Sequence, residues 1–146
     1  MLKDILAISG KPGLYRLVSQ TTKGIVVESL DTGSKTIIGN SYKVSALKDI
    51  AIFTETEEKP LEDVFKNIYN LENGNPASVN EKGKPEEIKA YFEKILPDYD
   101  RDRVYVSDMK KVIKWYNILQ QHDLLKVEEQ KDENQPEEKE QADNDK

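Results

Sequence analysis

Pro60-Leu-Glu-Asp-Val-Phe-Lys-Asn-Ile-Tyr-Asn-Leu71 is the stretch at which the apolar period of this chain changes. Leu61, Val64, Phe65, Ile68 and Leu71 fall at i, i+3, i+4, i+7 and i+10, so one helical stripe faces a core. Pro60 suits the first turn, where a missing N–H costs nothing, and Gly74 follows as a stop. From Pro60 onward the apolar period changes from two to about 3.6.

Upstream, residues 13–54 alternate β-prone runs with turn residues, the pattern of a small antiparallel sheet or barrel. Leu14 to Val18 is one run; Thr21-Thr-Lys-Gly24 turns the chain into Ile25 to Leu30, rich in β-branched residues. Asp31-Thr-Gly33 turns it again. Lys35 to Ile38 is a third strand, Tyr42 to Leu47 a fourth with a tight corner, and Ile50 to Thr54 a last one. The expectation is an SH3-like barrel over residues 1–56. Leu2 to Ile8 is compatible with a helical turn or with a further strand. Glu55-Thr-Glu-Glu-Lys59 reads as a charged linker.

Downstream, Asn73 to Lys84 is a loop rich in Gly, Asn, Pro and Ser. Pro85-Glu-Glu opens a second helix with carboxylates at its positive end, and Ile88, Phe92, Ile95 and Leu96 form its buried face until Pro97. A third helix begins at Ser107 as N-cap, beside Asp108, and carries Met109, Val112, Ile113, Tyr116 and Leu119 to a stop near His122. The expected architecture is therefore α+β: a small antiparallel SH3-like β-barrel, a three-helix domain over 57–127, and a disordered acidic tail over 128–146. That tail contains no large apolar residue, so nothing offsets the entropy of ordering it.

Composition narrows function by exclusion. The net charge of −6 belongs to the tail: residues 1–56 hold seven Lys/Arg and five Asp/Glu, 57–127 twelve and fourteen, and 128–146 three and nine. The folded part is neutral, and the low overall isoelectric point does not argue against an anionic partner. With no cysteine there is no disulfide, thiolate nucleophile or Cys-based zinc site, and a reducing cytoplasm is the simplest compartment. The apolar run Ile5 to Ile8 is too short for a signal peptide, and no run of about 18 apolar residues would span a membrane. No membrane partner is expected, and the oligomeric state is left open.

Each motif with a chemical flavour has a plainer account. Gly10-Lys-Pro-Gly13 lacks the spacing of a phosphate loop and places a proline where such a nest needs an N–H, so it reads as a turn. Asp98-Tyr-Asp-Arg-Asp102 begins like a calcium loop but has Arg103 at the glycine position and Met109 at the position of the bidentate glutamate. Arg101 and Arg103 are placed to neutralise those carboxylates, which makes the segment a polar connector. His122, the single histidine, sits where it would meet a helix C-terminus rather than join a nucleophile or a metal. The expectation is no enzyme and no cofactor.

The remaining constellation is basic and aromatic: Lys110, Lys111, Lys114 and Trp115 on the third helix, preceded by Arg101 and Arg103. These six are the candidate binding residues. The lysines are placed to contact phosphates while Trp115 stacks on a base; the competing account makes the lysines a solvated helix face and Trp115 core. Tyr15, Tyr42 and Phe53 are an alternative aromatic groove of the SH3 kind, with core positions the plainer account.

Two long stretches carry a resemblance: Met1-Leu-Lys-Asp-Ile-Leu-Ala-Ile-Ser-Gly-Lys-Pro-Gly-Leu-Tyr15 with Val44-Ser-Ala-Leu-Lys-Asp-Ile-Ala-Ile52, and Pro97-Asp-Tyr-Asp-Arg-Asp-Arg-Val-Tyr-Val-Ser-Asp-Met-Lys-Lys-Val-Ile-Lys-Trp-Tyr-Asn-Ile-Leu119. Over about residues 1–125 the chain resembles an uncharacterised two-domain family of Bacteroidota. The resemblance implies an SH3-like N-terminal domain, a small helical C-terminal domain and a bacterial cytoplasm, and it assigns no catalytic or binding residue. The leading expectation is a non-enzymatic protein-interaction module, with binding of RNA or single-stranded nucleic acid as the alternative.

Overall fold

The computed structural model describes residues 2–125; the expected acidic tail, 128–146, lies outside them. Seven strands and three helices follow in order: β1 Ile5–Ile8, β2 Tyr15–Thr21, β3 Gly24–Ser29, β4 Lys35–Gly39, β5 Val44–Ala46, β6 Ala51–Phe53, β7 Glu58–Pro60, α1 Leu61–Leu71, α2 Pro85–Ile95 and α3 Val106–Gln121. A 3₁₀ turn, Leu47–Asp49, separates β5 from β6. Among the described residues no helix is long and apolar enough to cross a membrane.

The first five strands form one antiparallel sheet in the order β4-β3-β2-β1-β5. It is not a closed barrel. β4 and β5 are its two edges, and β5 is only three residues long before the 3₁₀ turn takes the chain out of the sheet. β1 settles the open question at the N-terminus as a strand, and its burial explains why the sequence was ambiguous. Ile5 and Ala7 face the core shared with the helices, while Leu6 and Ile8 face a smaller core with Val27 and Ile38. A strand apolar on both faces shows no alternation.

Ile50 to Thr54 does not extend this sheet as expected. β6 pairs instead with β7, Ala51 opposite Pro60 and Phe53 opposite Glu58, so the charged segment read as a linker ends in a strand, to which it gives Glu58 and Lys59. β6 is also tied to the α2–α3 connector by Asp100 N–H donating to the Phe53 carbonyl (3.0 Å) and by Glu55 N–H donating to the Asp98 carbonyl (2.9 Å).

The helices fall where the apolar spacing put them, with two adjustments. Leu71, at the end of the α1 stripe, is 45% exposed. α3 starts at Val106 with Tyr105 as N-cap, not at Ser107, because Asp108 at the third helical position accepts from the Tyr105 N–H (3.0 Å). The largest core runs without a break from Leu2, Ile5, Leu14 and Leu47 to Phe65, Phe92, Ile113, Tyr116 and Leu119. This packing lays α3 against the loops of the sheet and creates the candidate site.

Candidate functional site

A groove of about 650 Å³ lies between the β1–β2 turn and β5 on one side and α3 on the other, with β6 along its floor. Residues far apart in sequence meet here because of strand register. Ile8 opposes Val44, so the turn that follows β1 lies beside Lys43, and Ser9 N–H donates to the Lys43 carbonyl (2.9 Å). The turn itself is the expected one: Gly10 and Gly13 take φ of +83° and +80°, conformations that L side chains avoid. A Cβ on Gly13 would also lie 3.1 Å from the Asp31 carboxylate. Between these glycines Lys11 stands at the rim, its ammonium 5.3 Å from the centre of the Tyr42 ring.

Five cations line the groove, Lys11, Lys43, Arg103, Lys111 and Lys114, against the single carboxylate of Asp108, which is engaged with the Tyr105 N–H. Among the described residues no carboxylate forms an ion pair with any of the four lysines. The floor is aliphatic, with Ile50, Ala51, Ile52, Leu61 and Val112. Trp115 also lines it, but the ring is half-buried and packed against the main core.

Of the six candidate residues read from sequence, the groove gathers four: Arg103, Lys111, Lys114 and Trp115. Lys110 lies about 100° around the helix from Lys111 and does not line the groove. Arg101 is absent as well, because it is used in the connector. It donates to the carbonyls of Pro97 (2.9 Å) and Tyr99 (2.7 Å), pairs with Glu93 (2.8 Å) and lies over the Tyr99 ring at 4.1 Å. Arg103 is partly engaged too, with Asp100 at 3.0 Å and the Phe53 ring at 4.2 Å. Its hydrogen bond, followed by the Asp102 N–H, holds the Asp100 carboxyl below the usual range.

The aromatic trio does not form one surface: Tyr15 packs on the smaller core, Tyr42 is largely exposed under Lys11, and only Phe53 reaches the groove. His122 caps the end of α3, with Nε2 3.6 Å from Asp31. Lys11 and Lys43 had no signal in the sequence, since their convergence depends on β1–β5 register.

Residues 2–47 and 50–119 match the models of two domains of unknown function, DUF5606 and DUF6852 respectively. A solution NMR structure of a structural-genomics target from Bacteroides vulgatus is 45% identical, over 87% of this chain and 89% of that one, with a TM-score of 0.71. The chain belongs to this family. No curated protein matches it. The break between the two family segments, 47 to 50, falls within the 3₁₀ turn, and the groove takes residues from both, with Lys11 and Lys43 from the first and Arg103, Lys111, Lys114 and Trp115 from the second.

Proposed function

We propose that the protein is a non-enzymatic interaction module that holds an anionic partner, a protein in the first instance, in the groove between its sheet and α3. One observation carries this reading: five cations line one groove with a single carboxylate among them, and the four lysines have no ion-pair partner among the described residues. Held apart in this way, like charges repel, and an anion that bridges the two walls relieves the repulsion. The SH3-like reading of residues 1–56 is supported by the strand order, in which β5 returns to pair with β1. A cytoplasmic location is in keeping with a chain that has no cysteine. Within this reading residues 1–56 and 57–127 are two modules that supply one wall each.

The protein's single tryptophan is at the groove, so its emission reports occupancy. Titration with polyglutamate at low ionic strength is expected to change Trp115 emission, with affinity falling steeply as salt is added. Reversing two charges with Lys111→Glu and Lys114→Glu is expected to abolish the change. An anion that binds equally well to the reversed variant would place the site elsewhere.

A further inference from the structure

The groove joins a cationic rim to an aliphatic floor, and this combination separates the anions it would accept. We propose that its ligand is an acidic segment of a partner protein in which aliphatic side chains are interspersed with carboxylates; this rests on the groove being the binding surface. A single-stranded nucleic acid uses flat aromatic faces for its bases and cations for its phosphates. The two aromatic rings lining this groove are poorly placed for that, since Phe53 is covered by the Arg103 guanidinium at 4.2 Å and Trp115 packs against the main core. The floor offers the partly exposed Ile50 and Ala51, backed by the buried Ile52 and Val112. Branched aliphatic surface pairs with the Leu, Ile or Val side chains of a peptide through burial of apolar area.

The charges fit the same ligand. Lys43 and Lys111 rise from opposite walls. Lysine is a compact charge on a flexible stem, which adapts to carboxylates at irregular spacing along a peptide. The guanidinium of Arg103, the one group here able to grip a phosphate in bidentate fashion, is already engaged with Asp100.

The test compares three labelled probes at equal, low ionic strength: a short peptide of Glu-Glu-Leu repeats, the same peptide with serine for leucine, and an oligouridylate of equal charge. The leucine peptide is expected to bind at least about tenfold more tightly than the other two, since burying even one leucine is worth that factor. Lys111→Glu with Lys114→Glu should weaken it by about tenfold or more. Lys43→Glu on the opposite wall gives an independent reading, and unchanged thermal melts show that the variants fold. Equal binding of the serine and leucine peptides would overturn the inference while leaving an anion-binding groove. Tighter binding of oligouridylate would overturn it in favour of nucleic acid. If no probe binds, or the reversals on both walls change nothing, the groove is not the binding surface and the functional reading falls as well.

Discussion

Two cationic regions lie close together in this molecule, the connector between α2 and α3 with Arg101 and Arg103, and the groove with Lys11, Lys43, Lys111 and Lys114. In the connector every guanidinium has partners: Arg101 has Glu93, two carbonyls and the Tyr99 ring, and Arg103 has Asp100 and the Phe53 ring. In the groove the lysines face one another across open space with no ion pair among the described residues. Charge of one sign therefore does two jobs. The arginines fasten the turn that delivers α3, and the lysines line the groove to which the proposed function assigns a ligand.

The comparison is broken most forcefully at Tyr99, the ring beneath Arg101. It is buried, and its edge-to-face contact with Phe92 places the ring centroids 5.3 Å apart. Tyr99→Ala is expected to cost about 3 kcal/mol in urea denaturation, through the cavity and the lost aromatic pair. Lys111→Ala, by contrast, should stay within about 0.5 kcal/mol. A Tyr99 variant as stable as the lysine variant would mean that the connector is not fastened in this way.

Glu72 extends the structural class to a carboxylate. Burial pulls its pKa up, but hydrogen bonds from Tyr91 Oη (2.6 Å) and from the N–H and Oγ of Ser78 (2.8 and 2.9 Å), with the charge of Lys94, outweigh burial and hold it below its ordinary 4.5. A depressed folded-state pKa contributes stability that is present above 4.5 and is lost as pH falls through the folded-state value. Glu72→Gln, which keeps one acceptor oxygen, should thus cost about 1 to 2 kcal/mol at neutral pH, part of the roughly 1.5 to 3 kcal/mol that hydrogen bonds to a charged group contribute. The gap to the parent should close in melts below pH 4.5. A gap that stays constant down to strongly acidic pH would show that the Glu72 charge contributes nothing.

Arg101→Ala sharpens the comparison at smaller scale. The Glu93 pair is exposed and worth little, and the Tyr99 contact adds a modest cation–π term, so about 1 kcal/mol is expected in total. Ligand affinity at the groove should not change, because Arg101 does not line it. Affinity that falls with Arg101→Ala while stability holds would exchange the roles assigned to the two regions.

Local pattern made the helices legible, because apolar residues at 3.6 spacing with proline at the start define them without tertiary help: α1 and α2 begin where Pro60 and Pro85 put them. Strands bounded by glycine turns were also legible. β1 was not, since burial on both faces erases alternation, and β7 was not, since Glu58-Lys-Pro60 has little β propensity and pairs only because β6 is beside it. At the site, helical periodicity grouped Lys110 with Lys111 and Lys114 but did not say which face meets the sheet. Residue type alone did not separate a fastened Arg101 from a free Lys111. Lys11 and Lys43 come together only through β1–β5 pairing, which no local signal encodes.

The smallest expected effect concerns residues 128–146, whose net charge of −6 is tethered to the end of the described chain. At about 1.5 Å per helical residue, Lys114 lies about 10 Å from the end of α3 at Gln121, and a chain of about twenty residues, extended, is several times that length. Carboxylates tethered in this way would compete with an acidic ligand at high effective concentration. They bring charge without the aliphatic side chains that would use the floor, so they should compete weakly. Removing 128–146 is expected to tighten the Glu-Glu-Leu peptide about two- to fivefold at low salt and to leave the melting temperature unchanged. The gain should vanish at physiological ionic strength and above, where the screening length is about 8 Å or less. Titrating the same labelled peptide against full-length and shortened protein at two salt concentrations measures both parts. Equal affinities at low salt would show that the lysines of the groove do not meet the chain's own acidic segment, and that their charge is left entirely for the partner.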